Sequence, residues 1–538
     1  MKPTRGSSEW FKGAFILTIG ALITKILSAV YRVPFQNIVG DIGFYIYQQV
    51  YPFFGIALVL STYGFPVIIS KHFSELRAKD QAEKAMRFLL LSFIVLSAFG
   101  VLSFLLLYYG STWLALQMDD PNLSILFRVI SVVFLIFPII SIIRGYFQGM
   151  GNMIPTAISQ VGEQLFRVVT ILTLAIVLIK KDYSLYIVGG GAAFGSITGG
   201  LVAIFILVLF FLKEIKKFDW STIWTNQLFL DLGRVVKTLF LHGFAVCISS
   251  MIFIFMQIGD SLNMLSLLVE KGIGLEAAKE LKGTYDRGQP LIQLGTIVAT
   301  SMSLSLVPLI SSERIKANKS VLRDKIRFAL QTSFVIGAGA SVGLLAIIQS
   351  TNEMLYENQK GSSILALLTL VILISSLTLT VVSILQGLEV LFFPAWIILL
   401  SFALKYGLNV SLIPRLGAYG AALATIISLA IGFSLLWWKL KKIISGPILP
   451  RVFLVKIIIA SLSMFGAIKI YIFSSQFLFI FIESHRLIAT LQSLGSVAIG
   501  GMIYLVMILR TNVFHFEDIT LLPFGSKLMF LLPNKKKE

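Results

Sequence analysis

Three cationic side chains, Lys25, Arg167 and Lys405, sit inside apolar runs long enough to cross a bilayer. An ionisable group near the centre of a transmembrane helix costs on the order of 2.5–3.5 kcal/mol on insertion scales. A chain that only had to span a membrane would carry Leu at these positions. Three such departures imply a water-accessible, positively charged cavity between helices, and such a cavity suits an anionic ligand.

Further charges fit the same reading. Lys25 and Arg32 are seven residues apart, two helical turns, so both project from one face of the first run. Val33-Pro34 follows, and the missing proline N–H favours a kink beside them. Glu163 and Arg167 stand at i and i+4 and can pair. They are either a neutralised structural pair or a cavity cation tuned by its carboxylate. Arg144 lies near the cytoplasmic end of the fourth run, where positive-inside bias alone would also place an arginine. Asp260 ends the seventh run, and Asp286-Arg287 opens the eighth at its outer end. A guanidinium can hold two phosphate oxygens at once, whereas an ammonium acts as a point charge. A set containing both kinds suits a diphosphate.

Other chemistries are excluded by what is missing. There is no G-x-x-x-x-G-K-[ST] stretch, no H-E-x-x-H, no nucleophile elbow and no long polar segment to house an enzyme site. Cys247 is the single cysteine, so no intrachain disulfide or thiolate metal site can form, and with four scattered histidines no metal or other cofactor is expected.

The elements that must position these charges are membrane spans. The chain has 538 residues, 57% hydrophobic and 13% charged, with mean hydropathy +0.89. Soluble domains are about 45–50% apolar and about 25% charged. The net charge of +19 falls largely in short loops, which reads as topology rather than nucleic-acid binding. Fourteen runs are long enough to span: 11–39, 43–70, 86–110, 122–148, 154–180, 184–212, 234–260, 287–311, 327–350, 362–388, 392–413, 417–440, 452–475 and 486–510. Their lengths indicate helices, not barrel strands. Lys and Arg concentrate at 71–87, 213–233, 312–327, 439–451 and the C-terminal tail, all on one side of a fourteen-span layout, so both termini are expected in the cytoplasm.

The chain also repeats at an offset of about 240 residues. Pro66, a polar loop and Lys84, Arg87 and Phe88 are echoed by Pro308, a polar loop and Lys325, Arg327 and Phe328. Gln148-Gly149 before Pro155 is echoed by Gln386-Gly387 before Pro394, and each pair precedes a cation-bearing run. Six runs per unit is even, so the repeats are parallel. The expected architecture is an all-α polytopic membrane protein: a six-helix lobe over 1–212, a cytoplasmic linker at 213–233, a second six-helix lobe over 234–440, two extra helices over 452–510 and a tail at 511–538. A central cavity would lie between the lobes. Gly191, Gly195 and Gly199, and Gly417, Gly420, Ala421 and Ala424, mark close helix packing.

The stretches Phe11-Lys12-Gly13-Ala14-Phe15-Ile16-Leu17-Thr18, Arg144-Gly145-Tyr146-Phe147-Gln148-Gly149 and Pro155-Thr156-Ala157-Ile158-Ser159-Gln160-Val161-Gly162-Glu163-Gln164 resemble the polysaccharide flippases of the multidrug/oligosaccharidyl-lipid/polysaccharide exporter superfamily, in the branch of Gram-positive lipid II flippases and stage V sporulation protein B relatives. The resemblance implies two lobes alternating between inward-open and outward-open states, with the last two helices forming a groove for a polyprenyl tail. It implies that Lys25 and Arg287 stand at essential basic positions of spans one and eight. The family's second span-one arginine aligns with Tyr31, one residue before Arg32, and its span-two arginine is replaced by the stretch Tyr51-Pro52-Phe53-Phe54.

The expected function is therefore movement of an undecaprenyl-diphosphate-linked glycolipid, lipid II or a related cell-wall or spore-cortex precursor, from the inner to the outer leaflet. Lys25, Arg32, Arg144, Glu163, Arg167, Asp260, Asp286, Arg287 and Lys405 form the expected substrate-binding set. Membrane lipid is a second partner, a monovalent coupling ion is left open, and a monomer is expected. Alternatives are a flippase for another lipid-linked repeat unit, a cation-coupled drug exporter, which would need an acidic cavity, and a membrane-embedded glycolipid polymerase or ligase, which would display a large outer loop.

Overall fold

The computed structural model describes residues 5–215, 228–297, 310, 319–444, 449–478 and 483–513. Most of the 213–233 linker, the part of the eighth run from 298 to 309, the loop cations between 311 and 318 and the tail from 514 lie outside the described residues.

Among the described residues every regular element is helical. In chain order they are α1 (Arg5–Val30), α2 (Arg32–Val59), α3 (Phe65–Ala78), α4 (Ala82–Gln117), α5 (Ser124–Ser131), α6 (Val133–Gly149), α7 (Ile154–Lys180), α8 (Leu185–Ile215), α9 (Leu228–Lys237), α10 (Phe244–Ser250), α11 (Ile252–Glu270), α12 (Leu275–Asp286) and α13 (Gly288–Gly295). Then follow α14 (Lys319–Tyr356), α15 (Ser362–Gly387), α16 (Phe392–Leu416), α17 (Ala418–Ile443), α18 (Arg451–Leu478) and α19 (His485–Arg510). Among the described residues, thirteen continuous stretches are long and apolar enough to cross a membrane, and the first, Ile16–Ala78, contains two of the expected spans.

That first stretch shows how local sequence shapes the path. One rung of the hydrogen-bond ladder is missing at the Val30 carbonyl, because Pro34 has no N–H, while Tyr31 keeps helical angles (φ −64°, ψ −24°) and both its ladder bonds. The sharper turn is at Gly40, where φ is +70° and ψ −177°, a conformation essentially restricted to glycine. Farther on, Leu60–Gly64 forms a π-turn ahead of Pro66. Here too a proline withholds an N–H, and the backbone carbonyls of Leu60 and Ser61 accept side-chain donors from α6, Ser141 Oγ at 3.3 Å and Arg144 Nη1 at 3.4 Å.

One boundary is corrected. The sequence reading ended the seventh span at Asp260 and left 261–286 as an outer loop. In the structure α11 continues to Glu270 and α12 begins at Leu275, so Asp260 lies mid-helix and Asp286-Arg287 lies at the α12–α13 junction, buried. Hydropathy missed α12 because it carries Glu276, Lys279, Glu280 and Lys282. Two of those charges are satisfied internally: Lys282 by Asp286 at 2.8 Å and Lys279 by Asp120 at 3.6 Å.

The helices form two compact units. The first comprises Met1–Pro290 and Glu389–Gly432. In it α8 lies tightly on α7: a Cβ at Gly199 would stand 2.6 Å from the Glu163 carbonyl oxygen, and one at Gly195 3.0 Å from the Arg167 carbonyl oxygen. Likewise α12 meets α2 at Gly283, where a Cβ would stand 2.0 Å from the Asp41 carbonyl oxygen. The second unit comprises Leu291–Leu388 and Phe433–Glu538. Its core includes Val335, Ala338, Phe453, Ile457, Ala460, Ile508 and Leu509, from α14, α18 and α19. An apolar cavity of about 400 Å³ opens among Phe334, Val342, Leu373, Ile457, Leu462 and Phe465.

Candidate substrate site in the first unit

The buried charges of the first unit gather on facing helices. At the α6–α7 contact, Glu163 accepts from Arg144 Nη2 at 2.9 Å and from Arg167 Nη2 at 2.5 Å. Arg144 also donates to Ser159 Oγ at 3.1 Å and Thr62 Oγ1 at 3.1 Å, and Arg167 to Gln164 Oε1 at 2.7 Å. One carboxylate thus serves two arginines, and the triad keeps one positive charge. The π-turn is part of this site, since it turns Ser61 and Thr62 toward Arg144. The close approach of α8 at Gly199 fixes the backbone at Glu163.

Arg167 also lies over the Phe54 ring, 4.4 Å from its centroid, and one turn earlier on α2 Arg32 lies over Tyr51 at 4.2 Å. The Tyr31 and Tyr47 hydroxyls bond each other at 2.8 Å beside it. Arg32 is 2% exposed. Among the described residues it is the one buried arginine without a carboxylate partner, and its Nε has no hydrogen-bond partner. Lys25, half-buried on α1, makes no ion pair or hydrogen bond among the described residues.

The remaining expected site residues fall in two more groups. Arg287 grips Asp41 from α2, with Nη2 2.6 Å from Oδ1 and 2.8 Å from Oδ2, while Gln36 donates to the same carboxylate at 2.8 Å. Asp260 pairs with Lys405 at 2.6 Å and accepts from Asn409 Nδ2 at 3.1 Å and Tyr285 OH at 3.0 Å. The structure therefore unites Arg144, Glu163 and Arg167, and separately Asp260 and Lys405. It parts Asp286 from Arg287, giving them to Lys282 and Asp41. Tyr285, which donates to Asp260, precedes Asp286 in the chain, so these two groups adjoin on α12. Eight cations are buried among the described residues. Arg87 pairs with Asp231 and Lys279 with Asp120, and the other six, Arg32, Arg144, Arg167, Lys282, Arg287 and Lys405, face four carboxylates, Asp41, Glu163, Asp260 and Asp286. The surplus is positive before Lys25 is added.

Sequence reasoning missed Tyr47, Asn409 and the remote pairings of Arg287 with Asp41 and of Lys405 with Asp260. Tyr47 and Tyr51 are spaced i, i+4 and share a helix face, as do Lys405 and Asn409, and Asp260 and Asn263 follow i, i+3. Those spacings were the available signal.

Residues 10–313 match the model of a family described as polysaccharide biosynthesis protein. A Bacillus subtilis (strain 168) relative named uncharacterized membrane protein YabM is 42% identical over 524 residues, 96% of each chain. The lipid II flippase MurJ of the same organism is 27% identical over 528 residues, covering 93% of this chain and 95% of its own. A solved structure of lipid II flippase MurJ in an inward closed conformation superposes with a TM-score of 0.65 at 18% identity, covering 95% of this chain and 99% of that one. That likeness gives the fold, a many-helix transporter fold without strands. The matched family model and the YabM alignment show that the chain belongs to the polysaccharide biosynthesis protein family, and the MurJ sequence alignment supports the flippase branch of the multidrug/oligosaccharidyl-lipid/polysaccharide exporter superfamily.

Proposed function

We propose that the protein is a flippase for an undecaprenyl-diphosphate-linked saccharide, lipid II or a related cell-wall or spore-cortex precursor, working by alternating access and not by covalent chemistry. The observation that carries this reading is Arg32. A buried guanidinium with no carboxylate, lying over Tyr51, is a charge waiting for an anion. Lys25, also unpaired, supplies a second positive group. A diphosphate entering here would replace its lost hydration with Arg32 and Lys25. Arg167 and Arg287 could then share their carboxylates with phosphate oxygens, while Arg144, Glu163, Asp260, Asp286 and Lys405 set the charge and shape of the surroundings.

The polyprenyl tail needs apolar surface, and the cavity among Phe334, Leu373, Ile457 and Leu462 in the second unit offers it. No ATP motif is present, so the driving force comes from elsewhere. The membrane potential acts on each moving charge with about 2.3 kcal/mol per 100 mV. An inside-negative potential favours outward movement of an anionic headgroup.

Complementation tests the reading. Expression should restore growth and lipid II translocation to cells depleted of their own lipid II flippase. Growth arrest despite normal protein in the membrane would reject lipid II and leave another lipid-linked repeat unit. Orientation is a separate expectation, supported by the Lys and Arg distribution: both termini and the 71–87 segment face the cytoplasm. A cysteine at Ser74 on a Cys247→Ala background should be shielded from an impermeant reagent added to intact cells, and labelling from outside would invert the topology.

A further inference from the structure

Lys405 is usually the kind of residue one assigns to an anionic ligand, yet its surroundings are those of a bound cation. The ammonium is fully buried. Its Nζ lies 2.6 Å from Asp260 Oδ1, 2.7 Å from the Ala421 carbonyl oxygen and 2.7 Å from Thr425 Oγ1. An ammonium has three N–H donors, and these three oxygens use them all. A second layer fixes the first. Asn409 Nδ2 and Tyr285 OH donate to the two Asp260 oxygens at 3.1 and 3.0 Å, Tyr285 OH and Thr425 Oγ1 are 3.3 Å apart, and Asn409 in turn donates to Asn263 Oδ1 at 2.9 Å. Asn409 Oδ1 is buried without any donor.

A carboxylate, a backbone carbonyl and a hydroxyl converging on one point are the oxygen donors that hard cations take. The carboxylate comes from α11 and the carbonyl and hydroxyl from α17, so two helices build the three-oxygen cage, and the ammonium that fills it is delivered from a third, α16. Gly259 makes room for the lysine stem: a Cβ there would stand 3.0 Å from Lys405 Cγ. With Lys405 in place the charge of Asp260 is balanced.

We infer that the Lys405 ammonium serves as a tethered monovalent cation, so the oxygen cage around Asp260 takes no free ion in this protein but becomes a sodium site when the ammonium is removed. This concerns the ion requirement and stands whichever lipid is carried. Without the lysine, Asp260, the Ala421 carbonyl and Thr425 Oγ1 would be left around an empty centre with one uncompensated negative charge, a strong demand for a small cation.

The test is the melting temperature of the purified full-length chain in sodium chloride against choline chloride at equal ionic strength. The wild-type protein should melt at the same temperature in both. Lys405→Ala should melt lower than wild type in choline and regain several degrees in sodium, and adding Asp260→Asn should abolish that response. Two results would overturn the inference: sodium-specific stabilisation of the wild type, or a Lys405→Ala protein indifferent to sodium. Should Lys405→Ala fail to fold in choline, recovery in sodium supports the inference. Failure of both Lys405→Ala and Lys405→Ser in sodium as well as choline counts against it. The wild-type comparison decides independently of either variant.

Discussion

Arg32→Ala and Lys25→Ala each bring lipid translocation to background while the protein still accumulates in the membrane. The expectation rests on the imbalance around these residues. Most buried charges of the first unit have a partner whose removal would destabilise the fold, but Arg32 and Lys25 have no carboxylate to orphan. Removing Arg32 relieves an uncompensated buried charge, so stability should hold or rise. What is lost is a charge-assisted contact to the headgroup, worth about 1.5–3 kcal/mol per hydrogen bond, or roughly 10- to 150-fold each in binding. Two oxygens held by one guanidinium would lose more. Arg32→Lys should recover part of the activity, since a point charge replaces a fork stacked on Tyr51. Translocation of a labelled lipid-linked precursor, normalised to protein level by immunoblot, measures both. Full activity in both alanine variants would remove the anion-binding role on which the proposed function depends.

Glu163→Gln gives the largest loss of stability. The glutamine keeps the shape but withdraws the single carboxylate shared by Arg144 and Arg167. Two guanidiniums are then buried side by side with only neutral acceptors. Breaking a buried pair by deleting one partner costs about 3–5 kcal/mol, and here two pairs break together. Arg167→Met should be milder, because Glu163 still has Arg144 at 2.9 Å and the departing charge takes its own desolvation cost with it. Thermal melting in detergent orders the three proteins: wild type, then Arg167→Met, then Glu163→Gln. If Glu163→Gln melts with the wild type, the triad is not a structural clasp and its carboxylate is free for another role.

Much of the fold was legible because apolar runs of bilayer length are a strong signal. The polytopic all-helical character follows from them, and the expected spans at 362–388 and 486–510 agree with α15 and α19 to within a few residues. The glycines at 191, 195 and 199 mark a tight seam, and the seam is the α7–α8 contact. The failures have one cause: hydropathy penalises charge whether or not the charge is paired. Helix α12 reads as a loop because Glu276, Lys279, Glu280 and Lys282 depress its average, yet Lys279 and Lys282 fold inward onto Asp120 and Asp286. Pairing was legible only where partners are close in sequence. Glu163 and Arg167 are four residues apart and could be matched by eye. Arg287 and Asp41 are 246 apart, and Lys405 and Asp260 are joined only when α11 and α16 pack. A lone cation in a sequence is therefore ambiguous between a ligand site and half of a remote pair. Among the described residues Lys25 and Arg32 have no carboxylate beside them, so neither has a remote acidic partner there.

The fold-back at Gly40 bears on how the chain enters the membrane. Ile16–Ala78 is a 63-residue helical stretch whose two crossings are separated only by the turn at Gly40. Laid straight it would extend about 95 Å at 1.5 Å per residue, some three times the roughly 30 Å of hydrocarbon. The first two crossings are therefore one hairpin, closed by a glycine with φ of +70°. Arg32 lies on the first arm, but the ring that covers it, Tyr51, belongs to the second and leaves the ribosome later. At synthesis rates of about 5–20 residues per second, the first arm spends one to a few seconds carrying a cation that nothing yet shields. An arm presented to lipid alone would meet the full insertion penalty for that arginine, whereas a hairpin delivered as a unit brings the cover along. The residue proposed to hold a headgroup is thus also the one that binds the first two spans to a common fate during biogenesis.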